Sequence, residues 1–262
     1  MCECLKTGDT QMKKMLALLI AGTAITAVSY AQTTVSSANI VGYAQVTVPS
    51  NGYVMVAYNF ETGNGVTYFE DVFGTNQLIS SSRSYNCEVV YMWDTVEQQY
   101  KQFAQYNGKT YSTTTNGWKV AATNPVVTGG FFIKSVLNQT TNHVIYLSGN
   151  VPTSSISSVG IVGGGNFNLI SYPFSSDIAI SNLNIQGATA GTRTYNADTI
   201  YKWADNTYKQ YALYTNGLWY NVAQWKVTPT TDTVNLCEGF WYKAINSTTW
   251  SASNLYYNAI NN

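Results

Sequence analysis

From residue 40 onward the hydrophobic positions come in short runs, four to eight residues long and rich in Val, Ile, Tyr, Phe and Trp. Asn-Gly pairs, Gly-Gly pairs and Thr/Ser clusters separate them. Branched and aromatic side chains suit a pleated, half-buried surface, so this pattern predicts an all-β chain of antiparallel strands. Asn51-Gly52, Asn107-Gly108, Asn116-Gly117 and Asn216-Gly217 mark tight turns, because Asn and Gly tolerate the positive φ that such turns need. Val144-Ile145-Tyr146-Leu147 reads as a closing strand, with Leu255-Tyr256-Tyr257 as its echo. Helical spacing occurs twice: at Phe69, Val72 and Phe73 before Gly74, and in a segment that Asp177 would cap and Gly187 would end.

The runs also recur. Tyr53-Val54-Met55-Val56-Ala57-Tyr58-Asn59-Phe60 matches Phe167-Asn168-Leu169-Ile170-Ser171-Tyr172-Pro173-Phe174. Val90-Tyr91-Met92-Trp93 matches Ile200-Tyr201-Lys202-Trp203, and Tyr100-Lys101-Gln102 matches Tyr208-Lys209-Gln210. Trp118-Lys119-Val120 matches Trp225-Lys226-Val227, and Gly130-Phe131-Phe132-Ile133-Lys134 matches Gly239-Phe240-Trp241-Tyr242-Lys243. Five matches in one order, spaced about 110 residues apart, imply two tandem copies of a domain-sized module. The expected architecture is two homologous antiparallel β-sandwiches or open barrels, over 32–155 and 156–262. Pro152, a serine cluster and Gly163-Gly164-Gly165 suggest that the joint lies between Asn150 and Gly165.

A different pattern precedes residue 32. Lys13-Lys14 leads into an uncharged stretch from Met15 to Val28, followed by Ser29-Tyr30-Ala31. A basic start, a short apolar core and a small-x-small site together make a secretory signal over 1–31, cleaved after Ala31. The core is too short for a comfortable membrane span. Residues 1–11 fit no part of a signal, which points to Met12 or Met15 as the natural start.

Charge removes some classes of partner. The leader holds Lys6, Lys13, Lys14, Glu3 and Asp9 out of 13 basic and 13 acidic residues, so the cleaved chain is within about one charge of neutrality. Scattered lysines on such a chain form no footprint for nucleic acid and no polybasic membrane patch. Cys87 and Cys237 remain after cleavage, and export permits a disulfide between them; two buried free thiols are the alternative. With one histidine and no C-x-x-C in the cleaved chain, no metal or other cofactor is expected. His143 lacks a nucleophile motif, so it is expected as a surface or partly buried imidazole. Asp94 and Glu97, and Asp198 and Asp205, lie beside predicted turns, where acids commonly satisfy backbone donors.

What stands out is the aromatic content, seven Trp and 21 Tyr in 262 residues. Flat rings flanked by amides are the usual platform for sugar rings. Candidate ligand-binding residues are Trp93, Tyr100, Gln102 and Trp118, with their counterparts Trp203, Tyr208, Gln210 and Trp225. Burial is the stronger expectation for Trp93 and Trp203, whereas Tyr100, Tyr208, Tyr111, Tyr214 and Tyr220 have polar neighbours and are expected at the surface.

Asn39-Ile40-Val41-Gly42-Tyr43 with Val46-Thr47-Val48-Pro49, then Trp93-Asp94, Gly130-Phe131-Phe132 and Ile145-Tyr146-Leu147-Ser148-Gly149-Asn150-Val151, resemble the secreted, internally duplicated β-proteins of planctomycete- and verrucomicrobia-type bacteria. The resemblance implies export and duplication, and it carries no functional residue. The expected role is a secreted, non-enzymatic extracellular or cell-surface protein, structural, self-assembling or adhesive. Tandem carbohydrate-binding modules are the alternative and a glycan-active hydrolase the third reading. Expected partners are further copies of the chain or an extracellular polysaccharide.

Overall fold

The computed structural model describes residues 40–63, 65–114, 117–121 and 125–257. The expected leader over 1–31 and the Asn116 turn position lie outside the described residues.

The chain is all-β, with several antiparallel sheets, none of them closed. Its first half runs β1 (Val41–Val48), β2 (Tyr53–Ala57), one short helix α1 (Phe69–Phe73), β3 (Val89–Asp94), β4 (Gln99–Tyr106), β5 (Lys109–Thr114), β6 (Gly117–Ala121), β7 (Gly130–Lys134) and β8 (His143–Asn150). The second half runs β9 (Ile156–Ile161), β10 (Phe167–Ser171), β11 (Ile178–Ala179), β12 (Thr199–Ala204), β13 (Thr207–Leu213), β14 (Trp219–Asn221), β15 (Thr233–Val234), β16 (Gly239–Lys243) and β17 (Thr248–Ser253). One sheet has the order β2-β7-β3-β4-β5-β6, and the other β10-β16-β12-β13-β14. Separate two-stranded ribbons pair β1 with β8 and β9 with β17. The order β2-β7-β3-β4-β5 thus matches β10-β16-β12-β13-β14, and β6 has no counterpart in the second sheet.

Turn chemistry explains the hairpins. Asn107 and Gly108, at φ 49° and 69°, form the two-residue turn between β4 and β5. Asp205 and Asn206, at φ 52° and 61°, do the same between β12 and β13. Gly74 ends α1 at φ 57°, as the spacing of Phe69, Val72 and Phe73 predicts. The helix expected from Asp177 is replaced by β11 and a 3-10 turn over Ile180–Asn182. The Asp177 carboxylate accepts from the Leu236 N–H at 2.7 Å, so it ties down a distant loop instead of capping a helix. Among the described residues the last strand is β17, and Leu255–Tyr257, expected to echo the closing strand, lie beyond it. Gly163–Gly165 form the turn from β9 to β10, so the joint between the halves shrinks to residues 151–155.

Burial follows the two-residue period of a strand. On β7, Phe131 and Ile133 enter a core shared with α1 and the β1–β8 ribbon, whereas Phe132 faces the opposite way. On β16, Phe240 and Tyr242 enter the core under the β9–β17 ribbon, and Trp241 faces the opposite way. The outward-facing set meets across the halves: Met55 and Phe132 of one sheet pack on Leu169 and Trp241 of the other. Full burial of each such side chain is worth about 1.5–3 kcal/mol. The layers therefore run ribbon, sheet, sheet, ribbon, and the central strands are apolar on both faces. Gly130 and Gly239 allow the close approach, because a Cβ on either would lie 3.2 Å from the other's Cα.

Candidate aromatic binding site

The face of each sheet that meets the other half ends in exposed rings. In the β3–β4 register Trp93 lies opposite Tyr100 and Tyr91 opposite Gln102. In the β12–β13 register Trp203 lies opposite Tyr208 and Tyr201 opposite Gln210. Cross-strand partners share a face, so each sheet sets a ladder of two rings, a third ring and an amide on the seam. Trp93 and Tyr100 stand edge to face at 5.0 Å between centroids, and Trp203 and Tyr208 at 4.8 Å.

The two ladders lock reciprocally. Trp93 Nε1–H donates to the Phe167 carbonyl at 2.9 Å, and Trp203 Nε1–H donates to the Tyr53 carbonyl at 3.2 Å. Phe167 and Tyr53 occupy matching positions at the starts of β10 and β2. Gln98 strengthens one side, receiving the Phe167 N–H at 3.0 Å and donating to its carbonyl at 3.1 Å. Each indole is thus oriented by the half to which it does not belong.

Two open clefts flank this lock. One, of about 240 Å³, is lined by Tyr53, Tyr91, Tyr100, Phe132, Trp203 and Tyr208. The other, of about 360 Å³, is lined by Phe167, Tyr201, Tyr208, Trp241, Trp93 and Tyr100. Taken in this order, the lining residues correspond one to one in sheet position. Each cleft takes residues from both halves, and Tyr100 and Tyr208 belong to both. These two tyrosines remain 39% and 43% exposed, enough to offer ring faces to a ligand. The volumes lie near or below the small end of ordinary ligand pockets, which suits individual small rings.

Phenol groups supply the polarity. Trp241 Nε1–H donates to the Tyr208 hydroxyl at 3.3 Å, and Gln210 Nε2 donates to the Tyr201 hydroxyl at 3.0 Å. Burial raises the pKa of Tyr91, Tyr100 and Tyr208 above the ordinary phenol value. Their hydroxyls therefore stay protonated at neutral pH, as donors and acceptors at once.

The structure gathers Trp93, Tyr100, Gln102, Trp203, Tyr208 and Gln210 onto one seam. Trp93 and Trp203 are half-buried there, part of the joint as well as of the clefts. Trp225 lies elsewhere, with its ring 5.7 Å from Tyr214 and 6.1 Å from Tyr220, while Lys226 Nζ stands 4.6 Å over Tyr214. Trp118 sits on β6 opposite Thr113, and its side chain lies outside the described residues. Tyr220, expected at the surface, is buried and accepts from Asn216 Nδ2 at 2.9 Å. Lining residues not singled out as site candidates are Tyr53, Tyr91, Phe132, Phe167, Tyr201 and Trp241. All occur in the repeated runs, and their alternation with core residues is the signal that finds them.

Cys87 and Cys237 are buried free thiols, so the considered disulfide is not formed. Cys87 Sγ accepts from the Ser81 N–H at 3.1 Å, whereas Cys237 joins the first-half core and donates its N–H to the Asn59 side-chain oxygen at 2.8 Å. Their surroundings differ, and burial raises both thiol pKa values, that of Cys237 to about 11. Asp94 accepts from the Val96 and Glu97 N–H groups and pairs with Lys101 at 2.5 Å. Asp198 is buried and accepts from the Thr189 N–H, the Ile245 N–H and the Tyr242 hydroxyl. At the matching position, buried Glu88 accepts from the Ile79 N–H and meets His143 Nδ1 at 2.9 Å. Among the described residues no group of three metal-ligating side chains occurs. Comparison of the chain with protein-family models, curated proteins and solved structures gave no match.

Proposed function

We propose that this is an exported, non-enzymatic adhesive protein, made of two copies of one β-module, that grips extracellular glycan through its aromatic seam. The observation that carries the reading is the pair of matching clefts, each built from both halves around Tyr100 and Tyr208. Exposed rings give the apolar C–H faces of pyranoses a surface, and the phenols and Gln102 and Gln210 bond hydroxyls. The leader pattern supports export, and the recurring strand order and reciprocal indole bonds support duplication. Relative to two separate tandem sites, this arrangement makes one composite site that neither module forms alone. A glycan array probed with the exported form, and again with Tyr100→Ala/Tyr208→Ala, tests it. Binding that disappears in the double variant is expected; absence of any glycan ligand overturns the reading.

Self-association is a second reading, favoured by the outer face of the β1–β8 ribbon. Val41 and Tyr43 on β1 and Tyr146 on β8 are exposed there, on a chain with little charge to keep copies apart. Sizing and electron microscopy decide it: oligomers lost in Tyr43→Ser/Tyr146→Ser support it, and a strictly monomeric protein removes it.

A further inference from the structure

The matched runs Gly130–Lys134 and Gly239–Lys243 both end in lysine, and the composite site described above uses neither ammonium. Their placement is reciprocal. Lys134 lies opposite Tyr53 in the β2–β7 register, and Lys243 opposite Phe167 in the β10–β16 register. Lys134 Nζ stands 5.7 Å from the Tyr53 ring centroid, and Lys243 Nζ stands 5.6 Å from that of Phe167. Tyr53 lines one cleft and Phe167 the other, so each cleft has one ammonium at its edge.

Two other lysines on these sheets are neutralised within the fold. Lys101 pairs with Asp94 and Glu97, and Lys202 with Glu238. Among the described residues Lys134 and Lys243 form no ion pair. No acidic side chain lines either cleft. Basic residues number 13 in 262, and a cation at the same edge of both clefts gives the seam a sign. A ring-stacked cation beside an apolar wall complements a ligand that is flat, apolar on its faces and negative at its rim.

We infer that the seam selects acidic glycans, whose pyranose rings lie in the clefts while a carboxylate or sulfate on the sugar meets Lys134 and Lys243. This rests on the glycan-binding reading and names the class of glycan. Each lysine acts as a point charge, so it attracts either anion without fixing its geometry.

Titration of the exported form with three probes tests the inference: a neutral glucan oligosaccharide, an oligo-uronate of equal length and a sulfated glucan oligosaccharide. An anionic probe is expected to bind at least about tenfold more tightly than the neutral one at low ionic strength, an advantage of about 1.4 kcal/mol. The advantage should shrink at about 0.5 M salt, where the screening length falls to a few ångströms. Lys134→Met/Lys243→Met, which keeps the stems and removes the charges, should abolish the advantage. Lys134→Arg/Lys243→Arg should retain it, and Lys109→Met/Lys209→Met, a loss of equal charge elsewhere, should not change it. Preference for the uronate or for the sulfated probe identifies the anion, and either supports the inference. Equal binding of neutral and anionic probes, or indifference to Lys134→Met/Lys243→Met, overturns it and leaves glycan binding standing. If no probe binds, or Tyr100→Ala/Tyr208→Ala leaves binding unchanged, the glycan reading fails and the inference with it.

Discussion

Gly129 offers a direct probe of how the halves meet. It precedes β7 at φ +70°, and a Cβ there would overlap the Leu169 carbonyl oxygen and come within 3.3 Å of the Ile170 Cα, both in the other half. Gly217 has a similar φ of +79°, with nothing within 4 Å of its Cβ position. Replacing either by Ala forces an L-residue into the left-handed region, at about 1 kcal/mol. Only Gly129→Ala adds a collision with backbone, which cannot rotate away as a side chain would. Overpacking of this kind costs about 1–3 kcal/mol more. The expected losses are therefore about 1 kcal/mol for Gly217→Ala and about 2–4 kcal/mol for Gly129→Ala. At about 2–4 °C per kcal/mol for a chain of this size, Gly129→Ala should melt several degrees lower. Urea denaturation followed by far-UV dichroism, with unchanged slopes, measures the difference. If the two variants agree within about 0.5 kcal/mol, the halves do not dock as described, and the composite clefts lose their basis.

Other outcomes follow from the buried groups. Asp198→Asn should cost about 1–3 kcal/mol, because an amide has one acceptor oxygen for three converging donors; a loss below about 0.5 kcal/mol in the same assay contradicts this. Burial raises the phenol pKa of Tyr100, Tyr211 and Tyr242, and that of Tyr58 to about 12. A pKa raised on folding gives stability that is complete below the unfolded value near 10 and is lost as pH rises through the folded values. Stability should therefore fall above about pH 10, with phenolate absorbance completing only as the fold opens; full titration of an intact fold refutes it. With Cys2 and Cys4 replaced by Ser, a thiol reagent should find no reactive group in the native protein and two after unfolding. No reactive thiol after unfolding without reductant would mean that Cys87 and Cys237 are bonded.

Much of the fold is legible in the spacing of apolar residues, because strands and tight turns are local. Asn107-Gly108 and α1 show this: the conformations that their residues favour are those observed. Two-sided burial was also written in the runs. Phe131-Phe132-Ile133 and Phe240-Trp241-Tyr242 do not alternate with polar residues, as strands covered on both faces do not. Failures arise where pairing is remote. Ile178-Ala179 becomes a strand only by meeting Thr233-Val234, and that contact outweighs the local helical spacing. Trp118 and Trp225 match in sequence yet sit on different elements, because the β5–β6 hairpin gives way to β14 and a 3-10 turn over Val222–Gln224. The seam itself could not be read, since Trp203 reaches Tyr53 across 150 residues and no local pattern encodes the docking. Asp198 accepts backbone N–H groups as its place beside a turn predicts, whereas its full burial, like that of Glu88, depends on contacts that are not local in sequence.

The sharing of Tyr100 and Tyr208 by both clefts makes affinity for the best array ligand the most direct measurement. Calorimetric titration of the protein and of Tyr100→Ala, Tyr208→Ala and the double variant, each checked for an unchanged melting temperature, reads it. Each single variant should weaken binding about tenfold or more, although the two residues lie in different halves, and the double variant should not bind. Undiminished affinity in the double variant, or an effect from only one of the two tyrosines, would contradict a single site built jointly by both halves.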